Sequence, residues 1–328
     1  MNRLCSSVIF LLLCSASGAA AQDKIVVDDP AKITDPDFAV QGEYLGEVNT
    51  GGGGHKVGVQ VIALGKGKFR AVRYLGGLPG DGWDRSDARQ IDGETNDGAV
   101  VFKSDNVTGT LKNGAISVAT KDGVACGELK RVERESPTMG MKPPERSGAV
   151  VLFDGTSADA WEKGRLTTDN LLMCGVTSKQ KFGSCRVHLE FRTPYQPQDS
   201  GQARGNSGCY LQGRYEVQIL DSFGLAGKNN ECGGLYEIRD PDVNMCFPPL
   251  AWQTYDINYT AAAYDAEGKK TKNATITVVH NGVIVQKDAE LPRATRAAPV
   301  PEGPEPGPLY LQNHSNPVVF RNVWVVAK

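Results

Sequence analysis

The chain has 328 residues, with 36 basic and 38 acidic side chains giving a formal charge of −2. That balance, without any block of like charge, excludes a nucleic-acid partner, which needs a concentrated positive face. The length allows two domains and a substantial core, and the 38 glycines and 18 prolines suit many short strands joined by turns.

Residues 1–21 read as an export signal: Arg3 supplies the positive start, residues 8–13 the apolar stretch, and Ala19, Ala20 and Ala21 a small-residue cleavage site. The apolar run is too short to span a bilayer, and no later stretch is a transmembrane candidate. Cys14 would suit a lipoprotein, but the bulky Leu13 before it disfavours that reading, so a secreted or periplasmic protein is expected. Six cysteines follow: Cys126, Cys174, Cys185, Cys209, Cys232 and Cys246. An oxidising compartment permits disulfides, and spacing favours Cys174 with Cys185 and Cys232 with Cys246. No CxxC pair is present, so a structural zinc site is not expected.

Residues 22–135 read as a small all-β domain. Residues 56–64 alternate, with Val57, Val59 and Val61 on one side, and 68–74 follow before the turn-rich LGGLPGDGWD. Further strands are expected at 99–103, 107–111, 115–119 and 127–132, with hairpin turns at Asn113-Gly114 and Asp122-Gly123. No helical apolar stripe interrupts them. Residues 136–147, SPTMGMKPPERS, read as a linker.

Residues 148–328 carry a second series of strands: 149–153, 171–176, 186–192, 209–211, 215–220, 253–259, 274–280, 283–287, 309–313 and 318–326. Asn281-Gly282 between two apolar runs is the strongest hairpin signal. Such a series indicates a sandwich or jelly roll, with the proline-rich stretch 297–308 passing over a rim.

Successive side chains on a strand face opposite ways. In CRVHLEFR, His188, Glu190 and Arg192 therefore share a face, as do Glu216 and Gln218 in YEVQIL. If these strands are neighbours and the strand ending near Gln312 and His314 lies beside them, the polar faces merge into one hollow suited to a sugar. Water alone also makes outward faces polar, so solvent-facing decoration is the competing reading for each residue. The E-x-x-x-x-D spacing of Glu216 and Asp221 partly matches laminarinase-like glycosidases, but Gln218 stands where those have an acid and Asp221 is short. A lectin-like module is a third reading, since jelly rolls also serve as binding modules.

Seven blocks raise a more specific likeness: VLFDGTS with Trp161, KFGSCRVHLEFRTP, GQARGNSGCYLQGRYEVQILDSFG, NECGGLYEI, PPLAWQTYDINY, VVHNGV and LYLQNHSNPVVFRNVWV. In order and spacing they make residues 150–328 resemble the 3-keto-disaccharide hydrolase family, common in secreted bacterial proteins. The resemblance implies a concanavalin A-like jelly-roll sandwich and cleavage of glycosides whose sugar bears a ketone at C3. The ketone acidifies the C2 hydrogen, so a base can remove it, the C1 leaving group departs, and water adds to the enone. Such chemistry needs a base, an acid and a partner for the enolate. Glu216 or Glu190 fits the base, His188 or His314 the acid, and Arg192 the enolate partner. Asn206, Gln218, Asp221, Tyr236 and Gln312 would bind the sugar. A divalent metal held by His and Glu is an alternative in the charge role.

Overall fold

The structure, a computed structural model, describes residues 24–86 and 88–328. The export-signal reading of residues 1–21, and Cys14 with it, lies outside the described residues. No helix among the described residues is long and apolar enough to cross a membrane.

Eight antiparallel strands, paired in sequence order, close into a barrel. They are β1 (Gly42–Asn49), β2 (Gly54–Gly65), β3 (Lys68–Leu75) and β4 (Ala88–Asn96), then β5 (Ala99–Lys103), β6 (Val107–Lys112), β7 (Ala115–Thr120) and β8 (Ala125–Val132). Asn113 and Gly114 both take positive φ (50° and 76°), as a two-residue hairpin between twisted strands requires. β1 and β4 were not expected from sequence. β4, ARQIDGETN, holds a single large apolar residue, and it is a strand because its ladders to β3 and β5 complete the ring. One end of the barrel is closed by the short helix α1 (Pro36–Val40), capped by Asp35 through the Asp37 N–H. Phe38 and Val40 of α1 pack on the barrel core together with Tyr195 and Leu250 from the second half of the chain.

The second half forms a sandwich from β9 (Val150–Phe153), β10 (Trp161–Glu162), β11 (Leu172–Met173), β12 (Val176–Phe182), β13 (Cys185–Arg192), β14 (Ser207–Leu211) and β15 (Tyr215–Ile219). It continues through β16 (Gln253–Thr260), a small pair β17 (Ala263–Tyr264) and β18 (Lys270–Lys272), β19 (Ala274–His280), β20 (Val283–Leu291), β21 (Gly307–Leu311) and β22 (Val319–Ala327). One sheet has the order β10-β12-β21-β14-β15, the other β11-β22-β13-β16-β19-β20 with β9 paired to β22. The protein is thus all-β, with a jelly-roll-type sandwich following the barrel. Asn281 and Gly282 make the expected hairpin (φ 48° and 81°).

The two sheets bury one apolar layer between them. Val187, Leu189 and Phe191 of β13 and Ile257 of β16 meet Cys209, Leu211, Val217, Ile219, Leu309 and Leu311 from the other sheet. With those residues facing in, strand alternation sends their neighbours out, on opposite outer surfaces. Glu216 and Gln218 leave through the five-stranded sheet, and His188, Glu190 and Arg192 through the seven-stranded one. The expectation of a single merged polar face is corrected here: the apolar layer separates the two sets.

His188, Glu190 and Arg192 instead hold chain segments against the outside of their sheet. Residues 136–141 run across it, with the Gly140 N–H donating to Glu190 Oε1 (2.7 Å) and the Trp324 indole to the Met141 carbonyl (3.0 Å). Arg321 Nε donates to Glu190 Oε2 (2.6 Å) and Asn322 Nδ2 to Oε1 (2.8 Å). Both adjacent residues reach one carboxylate because the β13–β22 register shifts there and Asn322 takes φ 46°. His188 bonds Asp256 (3.1 Å) and stacks on Trp324. Arg192 donates to the Asp28 carbonyl (2.7 Å), its guanidinium 4.9 Å from the Trp252 ring centre.

The expected disulfides are absent among the described residues. All six cysteines are free and buried. Cys174 bonds the Asn316 carbonyl (3.5 Å) while Cys185 starts a strand of the seven-stranded sheet. Cys232 and Cys246 lie side by side, but Cys232 is engaged by the Tyr255 hydroxyl (3.1 Å) and Cys246 by the Leu220 carbonyl (3.5 Å).

Barrel and sandwich meet through Ile62, Val72 and Tyr74 packed on Phe223. Beside them lies a buried ion pair, Arg204 Nε to Asp221 Oδ2 at 2.6 Å, with Arg204 also donating to the Ala63 carbonyl of β2 (3.3 Å). Asp221 is therefore a joint between barrel and sandwich rather than a sugar ligand, which corrects its expected role.

The Glu190 cluster gives a pH signature. Burial raises the Glu190 pKa, but its bonds from His188, Asn322, Arg321 and Gly140 outweigh burial and bring it to about 2. Burial likewise opposes charge on His188, yet Asp256 and Glu190 raise its pKa overall. The Glu190 contribution is full above its unfolded value of 4.5 and fades as pH falls towards about 2. The His188 contribution is full below 6.5 and fades as pH rises through its elevated folded value. Glu190→Gln is expected to lower stability at pH 5 by about 2 kcal/mol. In thermal melts from pH 7 to 2, the variant and wild type should converge at the acid end; a constant offset down to pH 2 would refute the assignment.

Candidate active site

The outer face of the five-stranded sheet carries the one hollow, among those in the described residues, that collects the remaining sequence-predicted side chains. It measures about 90 Å³ and is lined by Gln202, Asn206, Tyr210, Glu216, Gln218, Tyr236, Arg296, Ala297, Gln312 and His314. That volume is below the range that encloses a whole small molecule, about 300 Å³ upward. It therefore has room for only one end of a small molecule.

Local sequence builds the floor. Gln212 and Gly213, both at positive φ (55° and 64°), turn β14 back into β15 and set Tyr210 opposite Glu216 and Gly208 opposite Gln218. A Cβ on Gly208 would lie 2.0 Å from Glu216 Oε1, so glycine is what lets the glutamate lie across β14. The Tyr210 hydroxyl donates to Glu216 Oε2 (2.7 Å), and Gln312 Nε2 donates to the Tyr210 hydroxyl oxygen (3.1 Å). Gln218 Nε2 donates to Asn206 Oδ1 (2.9 Å), and Asn206 Nδ2 to the Gln202 carbonyl (2.8 Å).

The walls come from loops. Residues 233–236 extend the sheet beyond β15, with the Gly233 N–H on the Gln218 carbonyl (3.0 Å) and the Tyr236 N–H on the Glu216 carbonyl (3.3 Å). The opposite wall, with Arg296 and Ala297, is anchored by Arg214, which donates to the carbonyls of Pro301 (2.7 Å), Gly303 (2.9 Å) and Glu305 (3.0 Å). Thr295 fixes its start by accepting the Glu216 N–H (3.0 Å). His314 stands exposed at the rim, past the end of β21. Arg296, at the mouth, pairs with Glu237 (2.9 Å).

Electrostatically the site centres on Glu216, which is 2% exposed. Burial pushes its pKa up to about 8, opposed by the Tyr210 hydrogen bond. Tyr210 in turn is driven well above the ordinary phenol value by burial and by Glu216. Burial and the charges of Glu216 and Glu237 also raise Tyr236, while Arg296 lowers it. Glu216 is the sole carboxylate among the lining residues.

Of the sequence-predicted set, the structure brings together Glu216, Gln218, Asn206, Tyr236, Gln312 and His314. It places His188, Glu190 and Arg192 beyond the core and Asp221 at the barrel joint. No three His, Cys, Asp or Glu among the described residues come together as a metal-binding group. Glu216 and His314 alone do not fit a divalent ion, which takes more ligands than these two side chains supply. Sequence reading missed Tyr210, Gln202 and Arg296. Tyr210 was legible, since it alternates with the apolar Cys209 and Leu211; Arg296 lies in an irregular loop and carried no periodic signal.

Residues 148–326 match the family described as the 3-keto-alpha-glucoside-1,2-lyase-like domain, and the chain belongs to it. Its class is that of carbohydrate-active hydrolases. Among solved structures, the chain is similar to a "putative glycosyl hydrolase" from Parabacteroides distasonis, at 34% identity and TM-score 0.50, covering 55% of this chain and 84% of that one. A second protein of that description from the same organism matches at 17% identity and TM-score 0.41, covering 57% and 98%. No curated protein matches the chain.

Tyr210→Phe removes the one interaction that holds the Glu216 pKa down, so it should titrate still higher. Carboxyl-region infrared or ¹³C titration of the two proteins checks this; an unchanged or lower midpoint would contradict the geometry.

Proposed function

We propose that the protein cleaves glycosides already oxidised to a ketone at C3, by elimination across C1 and C2 followed by hydration. The observation that carries this is the lone desolvated carboxylate in the hollow. Direct glycoside hydrolysis uses two carboxylates about 5 Å apart for retention, or further apart for inversion, and Asp221, the second acid of that reading, is bound to Arg204. Elimination from a keto sugar asks for one base. A buried glutamate with a pKa near the working pH is a strong enough base to take an acidified C–H proton while still being ionised part of the time.

In this reading Glu216 takes the C2 proton, and the electron pair moves into the C2–C3 enolate. The C1–oxygen bond then breaks, and His314 at the rim protonates the departing oxygen. Arg296 takes the enolate role expected of Arg192. Gln218, Asn206, Gln312 and Tyr236 orient the sugar hydroxyls. Water adding across the enone releases the free keto sugar. We also take residues 22–135 and 148–328 as two domains joined by 136–147, and the leader-like residues 1–21 as directing the protein to the periplasm or outside the cell. A lectin-like role is less well supported, because a carboxyl whose pKa is pushed up to about 8 beside a rim histidine suits proton transfer rather than simple hydroxyl binding.

The test supplies 3-keto-glucosides and unmodified glucosides to the full-length protein, with and without chelator. Turnover of the keto substrates alone is expected, unaffected by chelator. Turnover of plain glucosides alone would favour direct hydrolysis, and turnover of neither would favour binding. Glu216→Gln should lower kcat by roughly 10³ or more without unfolding the protein. Since the base must be ionised, kcat/KM should rise with pH through about 8.

A further inference from the structure

We propose that the open end of the barrel is a second ligand site, taking a small apolar molecule the size of a single aromatic ring or a short branched alkyl chain. The two ends of the barrel differ. Tyr44, Phe69 and Leu111 fill one, and α1 with Tyr195 and Leu250 covers it. At the other end a cavity of about 170 Å³ is left. Its floor is Val59, Ala71, Phe102 and Leu129, all buried and all on the inward strand face. Half-buried Val48, Leu75, Val107 and Val118 ring its opening.

An eight-stranded barrel is just wide enough for its own side chains to fill it, or to hold one small ligand if they do not. Two inward positions at this end, Ala71 and Gly109, are small and leave space that larger side chains would close, while Arg73, on the same face of β3 as Ala71 and Leu75, brings a guanidinium to the lining. Polar lining is confined to Thr50, His55 and Arg73. A closed cavity of roughly 150 Å³ lined by aliphatic and phenyl groups stays dry and accepts benzene, so this volume and its apolar floor suit an apolar ring with any polar substituent facing Thr50, His55 and Arg73 at the open side. The β1–β2 connection beside the opening contains Gly51, Gly52 and Gly53, with no atom within 4 Å of where their Cβ atoms would be, so nothing bulky obstructs entry. The site is separate from the Glu216 hollow and does not depend on the reading of it.

The experiment titrates toluene and phenol, with glucose as a polar control, into the full-length protein by calorimetry and thermal melting. Saturable binding of toluene and phenol, with a rise in Tm of a few degrees and no response to glucose, is expected. Ala71→Leu extends a side chain into the void and should weaken binding at least roughly tenfold, while Tm without ligand stays level or rises. Val118→Lys, which sets a charge at the opening, should weaken binding similarly and decides the matter if Ala71→Leu does not fold. Absence of saturable binding to the wild type, or binding that survives in the folded variants, would overturn the proposal.

Discussion

The apolar layer between the two sheets governs what the rest of the sandwich can do. Once Val187, Leu189 and Phe191 must face Val217, Ile219 and Leu311, every intervening residue is committed to one of two outer surfaces about a sheet-packing distance apart, ~10 Å. The polar residues on those surfaces then have different partners and different fates. One surface is covered by the segment that joins barrel to sandwich. The other is walled by two loops and stays hollow.

Two glutamates show how much the fate of a carboxyl depends on donors rather than on burial alone. Glu190 and Glu216 are equally inaccessible, at 1% and 2% exposure. Glu190 receives bonds from an arginine, an asparagine and a backbone N–H, with His188 beside it, and is held at about 2. Glu216 receives one phenol hydrogen bond and is pushed to about 8. A carboxylate fully matched with donors fixes a chain segment in place; one left short of them keeps a high proton affinity.

Three arginines of the sandwich are scaffolding, unlike Arg296, which lines the hollow. Arg204 ties the sandwich to β2 of the barrel, and Arg214 holds the proline-rich wall by three carbonyls. Arg192 serves a carbonyl and an indole on the far surface. Arg214 and Arg192 satisfy backbone oxygens of irregular chain that has no ladder of its own, and Arg204 reaches one in a barrel strand, tasks for which a guanidinium's several donors suit it. The consequence is a hollow whose shape is set by loops but whose loops are pinned to regular structure.

Local pattern in the sequence determined most of the strands, the Asn281-Gly282 and Asn113-Gly114 turns, the all-β class and the sharing of a face by Glu216 and Gln218. These follow from a two-residue period and from glycine's tolerance of positive φ, both properties of neighbouring residues. It also determined that His188, Glu190 and Arg192 share a face, but not which surface that face is on. Only tertiary packing decided that, because strand alternation fixes sides relative to the core and says nothing about which sheet a strand joins. The same limit hid β4, whose polar sequence becomes a strand through its neighbours' unpaired backbone, and Arg296, whose loop is set beside the hollow by contacts with residues far away in sequence, among them Glu237 and Glu216.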